Sequence, residues 1–273
     1  MTGSAAGGSG QRLAWYTAAA LSAVLVVSAA AWQAGTGAGV HRGTAVGGSG
    51  GRTVTAVEVV AGPSDVSVTP RGDAQVGYRA ELTWSFREPE VEESWLGDTL
   101  RLTPHCPADS FGIGIGAGSG CSVRLAVTVP AGVPLKVSGG SGRIGVSGMA
   151  AAVDAETGAG TLVLADLRGP LRARVGDGTL RATGLTVPQA DIRAGAGRAD
   201  ARFAAPPEQV TARAGAGRLE LVLPPDTRYR VSCRAGLGRC EATDPLNDPA
   251  AARTLDIAVE AGHATASYRP DGT

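Results

Sequence analysis

The sequence predicts an all-β fold: a β-solenoid of about 18–21-residue rungs, preceded by one N-terminal transmembrane helix. Three observations carry this. Gly-x-Gly pairs begin at Gly140, Gly158, Gly176, Gly195, Gly215 and Gly236, at spacings of 18, 18, 19, 20 and 21 residues. On either side of each pair, apolar or small residues alternate with polar ones, as in "DIRAGAGRADARF" and "TARAGAGRLELVL". An uncharged apolar run lies near the N-terminus.

Taking the chain in order, residues 1–12 read as a short cytoplasmic tail. Residues 13–34, "LAWYTAAALSAVLVVSAAAWQA", have the length of one membrane helix, with Trp15, Tyr16 and Trp32 near its ends. Arg12 precedes the run and no acid does, which favours the N-terminus inside. A cleaved signal peptide is the rival reading, because "SAAAWQA" offers small residues. Residues 35–52 read as a glycine-rich linker, a flexible tether of roughly 25 Å root-mean-square span. The chain beyond residue 52 is then extracellular, in a compartment where four cysteines can pair.

Residues 53–130 hold several alternating runs, among them "TAVEVVAGPSDVSVTP" and "CSVRLAVTVP", and are expected to form irregular first rungs. Residues 131–273 hold the regular repeat. Each copy reads as strand, Gly-x-Gly corner, strand, the glycines supplying backbone angles that a Cβ forbids. One such unit cannot bury its own apolar face, but stacked units do. The residue between the glycines is small in most copies (Ser141, Ala159, Ala196, Ala216), so it is expected to point into a narrow interior; Asp177 and Leu237 break that pattern. "RTLDIAVEAGHATASYR" is strand-like without paired glycines and reads as the closing cap. Two local disulfides are expected, Cys106 with Cys121 and Cys233 with Cys240. The second faces inward from both arms of one rung.

Composition excludes several classes. Net charge is zero and the chain has a single lysine, Lys136, so no general attraction to nucleic acid is implied. The predominance of Arg, Ala and Gly is that of a GC-rich genome. "FGIGIGAGSG" fits neither the dinucleotide nor the phosphate-loop spacing, and no G-x-S-x-G occurs. His41, His105 and His263 stand alone without zinc-type spacing. The acids Glu88, Glu90, Glu92 and Glu93 read as a solvated loop, and Arg71-Gly72-Asp73 as a turn. No catalytic residue, cofactor or metal site is expected.

One surface pattern stands out. Arg193 and Arg198, Arg213 and Arg218, and Arg234 and Arg239 flank the corners of consecutive copies, with Arg174 one copy earlier. Stacked, they make two basic rows, with Asp200, Glu220 and Glu241 two residues beyond one of them. Two readings stay open: a self-neutralising surface ladder, or an edge for an anionic ligand.

The pattern resembles the bacterial putative-adhesin β-strand-repeat family, a family of unknown function. The resemblance rests on "VEVVAGPSDVSV", on "DTLRL", on "VTVPAGVPL" and on the glycine-cornered rungs, over roughly residues 54–268. Where the family often carries Gly-Asp at the corner, this chain has Gly-Arg or Gly-Thr. It implies a single-stranded β-solenoid tethered at the envelope, here an actinobacterial-type member, and brings no catalytic residues. The function expected is non-enzymatic: an adhesin or a binder of envelope polymer. A sensing or scaffold partner of a membrane signalling system and, more distantly, a polysaccharide-active enzyme are the alternatives. The partners expected are membrane lipid through residues 13–34 and an anionic cell-wall polymer or another envelope protein.

Overall fold

The computed structural model describes residues 39–85, 87–107 and 120–268. The tail over 1–12, the expected anchor over 13–34 and most of the glycine-dense stretch 111–120 lie outside the described residues. No helix among the described residues is long and apolar enough to cross a membrane.

The strands are β1 (His41–Gly48), β2 (Ala56–Gly62), β3 (Asp65–Arg71), β4 (Gly77–Trp84), β5 (Glu90–Leu96), β6 (Thr99–His105) and β7 (Ser122–Pro130). Then come β8 (Leu135–Gly139), β9 (Arg143–Ser147), β10 (Val153–Thr157), β11 (Thr161–Ala165), β12 (Leu171–Val175), β13 (Thr179–Leu185) and β14 (Gln189–Ala194). The last are β15 (Arg198–Phe203), β16 (Gln209–Ala214), β17 (Arg218–Leu223), β18 (Arg230–Ala235), β19 (Arg239–Ala242), β20 (Thr254–Val259) and β21 (His263–Tyr268). They form two sheets, of 11 strands in the order β1-β4-β7-β3-β9-β11-β13-β15-β17-β21-β19 and of 10 in the order β18-β20-β16-β14-β12-β10-β8-β2-β6-β5. Each rung contributes one strand to each sheet and stacks in parallel on the next, giving a solenoid about 45 Å long at the usual strand spacing.

The alternation read from the sequence places one face of each sheet inside. In one sheet the column Val59, Val137, Ala155, Ala173, Ile192, Ala212 and Ile257 is fully buried. In the other, Ile144, Leu162, Leu180, Ala199, Leu219 and Ala264 are likewise buried. Burial of these ladders is the main force holding rung on rung, since a single rung has no core of its own.

The corners differ from expectation in two ways. Ser141, Ala159, Asp177, Ala196, Ala216 and Leu237 are all exposed, so the middle residue points out, and the narrow interior is lined by the residue before the pair (Thr157, Val175, Ala194, Ala214) and the second residue after it (Ile144, Leu162, Leu180, Ala199, Leu219). This explains Asp177 and Leu237, which sit in solvent. Nor do the glycine pairs at Gly140 to Gly238 adopt positive φ. Glycine is needed because layers touch there through bare backbone. A Cβ on Gly178, Gly197 or Gly217 would overlap the carbonyl oxygen of Gly160, Gly178 or Gly197 one layer away. The first glycine of each pair is tighter than ordinary contact but less severe: a Cβ on Gly195 would lie 2.9 Å from the Gly176 oxygen.

Stacking order departs from chain order at both ends. β20–β21 was expected to be the cap, yet it lies between β16–β17 and β18–β19. Its corner is Glu260-Ala261-Gly262, with a single glycine, and that glycine is the one whose Cβ would overlap the Gly217 oxygen. The terminal layer is β18–β19. At the other end β6 and β7 pair with β2 and β3, so the first rung in sequence is interior. Beyond them β4, β5 and β1 add antiparallel strands.

The linker assigned to residues 35–52 is corrected over 41–48, where β1 pairs with β4 along its whole length. Its glycines make room for aromatic rings of the partner strand. A Cβ on Gly43 would meet the Trp84 ring at 3.0 Å, and one on Gly47 the Tyr78 hydroxyl at 2.6 Å. His41 stacks on Trp84 at 5.8 Å between centroids. Cross-strand aromatics over edge glycines hold such a strand in place.

Candidate ligand-binding surfaces

Both expected disulfides form. Cys106–Cys121, with Cα atoms 6.0 Å apart, joins the end of β6 to the start of β7 and so closes the corner of their layer. Cys233–Cys240, at 5.8 Å, crosses from β18 to β19. These two cysteines stand in register with the buried Ile257 and Ala264, so they face the interior, but Cys233 is exposed because nothing stacks beyond it. The cross-link holds the terminal rung together where a further layer is missing.

The corner arginines form two rows, but neither is continuous. Arg174, Arg193 and Arg213 are neighbours; Ala258 then separates Arg213 from Arg234. In the other sheet Arg198 and Arg218 are neighbours, and His263 separates Arg218 from Arg239. The interruption comes from the inserted β20–β21 rung, which no count of glycine spacings reveals. Arg174 reaches Asp154 at 3.6 Å and Glu156 at 3.7 Å. Arg193 donates from Nε to Asp191 Oδ1 at 3.1 Å and from Nη2 to Oδ2 at 2.9 Å. Arg239 lies 3.6 Å from Glu241. Among the described residues Arg198, Arg213, Arg218 and Arg234 have no ion-pair partner, so their guanidinium donors are not taken up by Asp200 and Glu220, although those acids lower the local field. Between the two rows runs the exposed column of corner residues Asp177, Ala196, Ala216, Ala261 and Leu237, with the exposed Glu260 at the corner of the inserted rung.

A second feature was not foreseen. On the outer face of the 10-stranded sheet, one residue per layer runs Arg101, Glu58, Lys136, Asp154, Arg172, Asp191, with charge alternating at every step. A groove of about 620 Å³ lies along this row from Glu58 to Asp191, with Arg101 just beyond its lining, beside a shelf of Ala56, Pro134, Ala152 and Pro170. Aligning the repeats on their glycines exposes Lys136 to Asp191 of this row. Arg101 and Glu58 join it only through the pairing of β6 and β2, which chain order does not reveal.

The remaining candidates are tied down. Arg71 and Asp73 of the Arg-Gly-Asp turn pair with each other at 2.7 Å. Glu93, on edge strand β5, lies in the inward-facing column opposite Leu102, and the Tyr78 hydroxyl bonds to it. Burial, with that carboxylate, pushes Tyr78 up to about 12. Arg52 covers the Trp95 ring at 4.2 Å. An inward charge and a covering arginine block an otherwise open sheet end. Among the described residues no three His, Cys, Asp or Glu side chains cluster as a metal site.

No protein-family model matches this sequence, and no curated protein matches it. Solved structures of similar strand arrangement include a candidate cell adhesion protein from Clostridium sporogenes, with 11% identity, TM-score 0.37, and coverage of 84% of this chain and 100% of that one. A candidate adhesin from Bacteroides fragilis has 11% identity, TM-score 0.35, and coverage of 84% and 97%. A candidate lipid-binding protein from Parabacteroides distasonis has 12% identity, TM-score 0.38, and coverage of 84% and 97%. These likenesses are too slight to carry an argument about fold or function.

Proposed function

We propose that the protein is a non-enzymatic, exported β-solenoid of the cell envelope, anchored through residues 13–34, that attaches to an anionic envelope polymer along its corner edge. The observation that carries this is the set of four exposed guanidinium groups, Arg198, Arg213, Arg218 and Arg234, without ion-pair partners among the described residues. A guanidinium fork suits phosphate bidentately, and rows of them add locally although the net charge is zero. The two disulfides support an oxidising compartment. Only Ala196, Ala216 and Ala261 stand between the rows over the central layers, which leaves the guanidinium groups of Arg198, Arg213 and Arg218 open to a polymer.

The test is co-sedimentation of the protein with purified, teichoic-acid-bearing cell wall at low and at high salt. Binding should be weak but measurable at low salt and fall away as the Debye length shrinks below about 8 Å. Replacing Arg193, Arg198, Arg213, Arg218, Arg234 and Arg239 by serine should abolish it. Equal sedimentation of the two proteins at low salt would show that the rows are only a solvated ladder.

A further inference from the structure

We infer that the groove along the 10-stranded sheet is a second binding surface, built for a linear glycan in which a uronic acid alternates with an uncharged sugar. Its cations are not those of the corner edge, but its acids Asp154 and Asp191 also hold Arg174 and Arg193, so the test replaces only Arg101, Lys136 and Arg172.

The alternating row is not a simple neutral ladder, because its two signs stand at different heights. The cations protrude, with Arg101, Lys136 and Arg172 side chains 50%, 61% and 54% exposed. The acids are set back, with Glu58, Asp154 and Asp191 at 24%, 33% and 23%. The arginine contacts are also loose. Arg101 lies 3.8 Å from Glu58, and Arg172 lies 3.8 Å from both Asp154 and Asp191. These are ion pairs beyond hydrogen-bond length, so both guanidinium groups keep their donor forks for a ligand. Lys136 bonds Glu58 at 2.9 Å and retains two further donors.

Spacing then selects the ligand. Protruding cations recur every second layer, about 10 Å apart at two strand spacings. An extended disaccharide of equatorially linked sugars, whether joined 1,4 throughout or alternately 1,3 and 1,4, spans nearly the same length. A polymer lying along the stack therefore meets one layer per sugar. A uronate carboxylate faces each cation layer, and hydroxyl groups of the intervening sugar donate to the recessed carboxylate of each acid layer. The shelf of Ala56, Pro134, Ala152 and Pro170 offers a flat apolar surface to the ring C–H faces. A glycan with a carboxylate on every sugar is rejected, since alternate carboxylates face Asp154 and Asp191. The alternation runs for six layers; after Asp191 the row continues as Thr211, Asp256 and Ser232. Six sugars fill it.

The experiment is calorimetric titration of the full-length protein with hyaluronate oligosaccharides, which carry one carboxylate per disaccharide. Affinity should rise with length up to the hexasaccharide and level off beyond it. Arg101→Ser/Lys136→Ser/Arg172→Ser should weaken hexasaccharide binding at least tenfold. Arg124→Ser/Arg181→Ser/Arg202→Ser, which removes the same charge from the opposite sheet, should stay within twofold. If the first triple variant fails to fold, Arg172→Gln carries the test with a several-fold loss. Equal losses in the two triple variants would overturn the inference. So would hyaluronate hexasaccharide failing to bind at millimolar concentration, or galacturonate hexamer or chitohexaose binding as tightly as it does.

Discussion

Ala194 is buried at 4% exposure while Ala196, one glycine further on, stands in solvent. An arginine at position 194 would place an unpaired charge in the core of the stack, so Ala194→Arg should cost more than about 4 kcal/mol. Ala196→Arg only extends the guanidinium rows and should stay within about 0.5 kcal/mol. Urea denaturation of both variants checks this, and equal costs would move the inward register by one residue. A second residue reports through pH. Tyr229 is fully buried and its hydroxyl has no partner among the described residues. Burial pushes it up to about 12 from 10.0, against a lowering contribution from Arg253. Its contribution is therefore complete below pH 10, where the unfolded tyrosine is still protonated, and is lost as pH rises through 12. Tyr229→Phe should leave neutral-pH stability unchanged or slightly raised, and should make the alkaline decline between pH 10 and 12 shallower. A decline as steep as that of the unaltered protein, measured by stability against pH, would contradict this.

At the scale of the rung, the second glycine of each corner carries the stacking. Gly197→Ala sets a Cβ against the Gly178 oxygen, and because every atom it meets is Gly178 backbone there is no flexible side-chain end to move aside. Overpacking of this kind should cost about 1–3 kcal/mol, whereas Ala196→Ser at the same corner should be neutral within about 0.5 kcal/mol. Thermal melting separates the two; a neutral Gly197→Ala would mean that the layers are not in backbone contact there. The rungs themselves were legible because period-two burial and a recurrent glycine corner specify strand, turn and face locally. Both disulfides were legible for the same reason, since each closes one corner. What the sequence hid was non-local. In β1, Gly43 and Gly47 look like linker until Trp84 and Tyr78 are seen lying over them. The corner at Glu260-Ala261-Gly262 lacks its first glycine, so the glycine count passed over a full rung. The inward reading of Ser141, Ala159, Ala196 and Ala216 failed because close backbone approach is met by the flanking glycines, while the middle residue points into solvent, where Asp177 and Leu237 also fit. The corner arginines were visible one by one, but their continuity depends on which rung stacks on which.

For the whole molecule, the order of layers at the C-terminal end is chosen by burial rather than by chain order. Two rungs compete for the place on β16–β17. The β20–β21 rung presents Leu255, Ile257, Val259, Ala264 and Ala266, all of which end up buried. The β18–β19 rung presents Val231, Cys233, Ala235, Cys240 and Ala242, which are smaller and remain half-buried or exposed. Putting the bulkier set inside removes more apolar surface from water, and the smaller set, cross-linked by its disulfide, tolerates the end position. The 3-10 turn Asp244–Leu246 and the segment after it then close over the start of β18, where Asn247 Oδ1 accepts from the Val231 amide. Chain order and stacking order make opposite predictions for a pair of truncations. In the stack described, Ile257→Ala empties an interior layer and should cost about 2–5 kcal/mol, the usual range for a buried isoleucine. Val231→Ala trims the outermost layer and should cost less than about 1 kcal/mol. If the rungs instead stacked in sequence order, β20–β21 would be the outer layer, Val231 would be interior, and the ranking would invert. Guanidinium denaturation of the two variants with the disulfide intact decides between them, and a larger loss for Val231→Ala than for Ile257→Ala would return β20–β21 to the end of the stack and restore the two arginine rows as continuous.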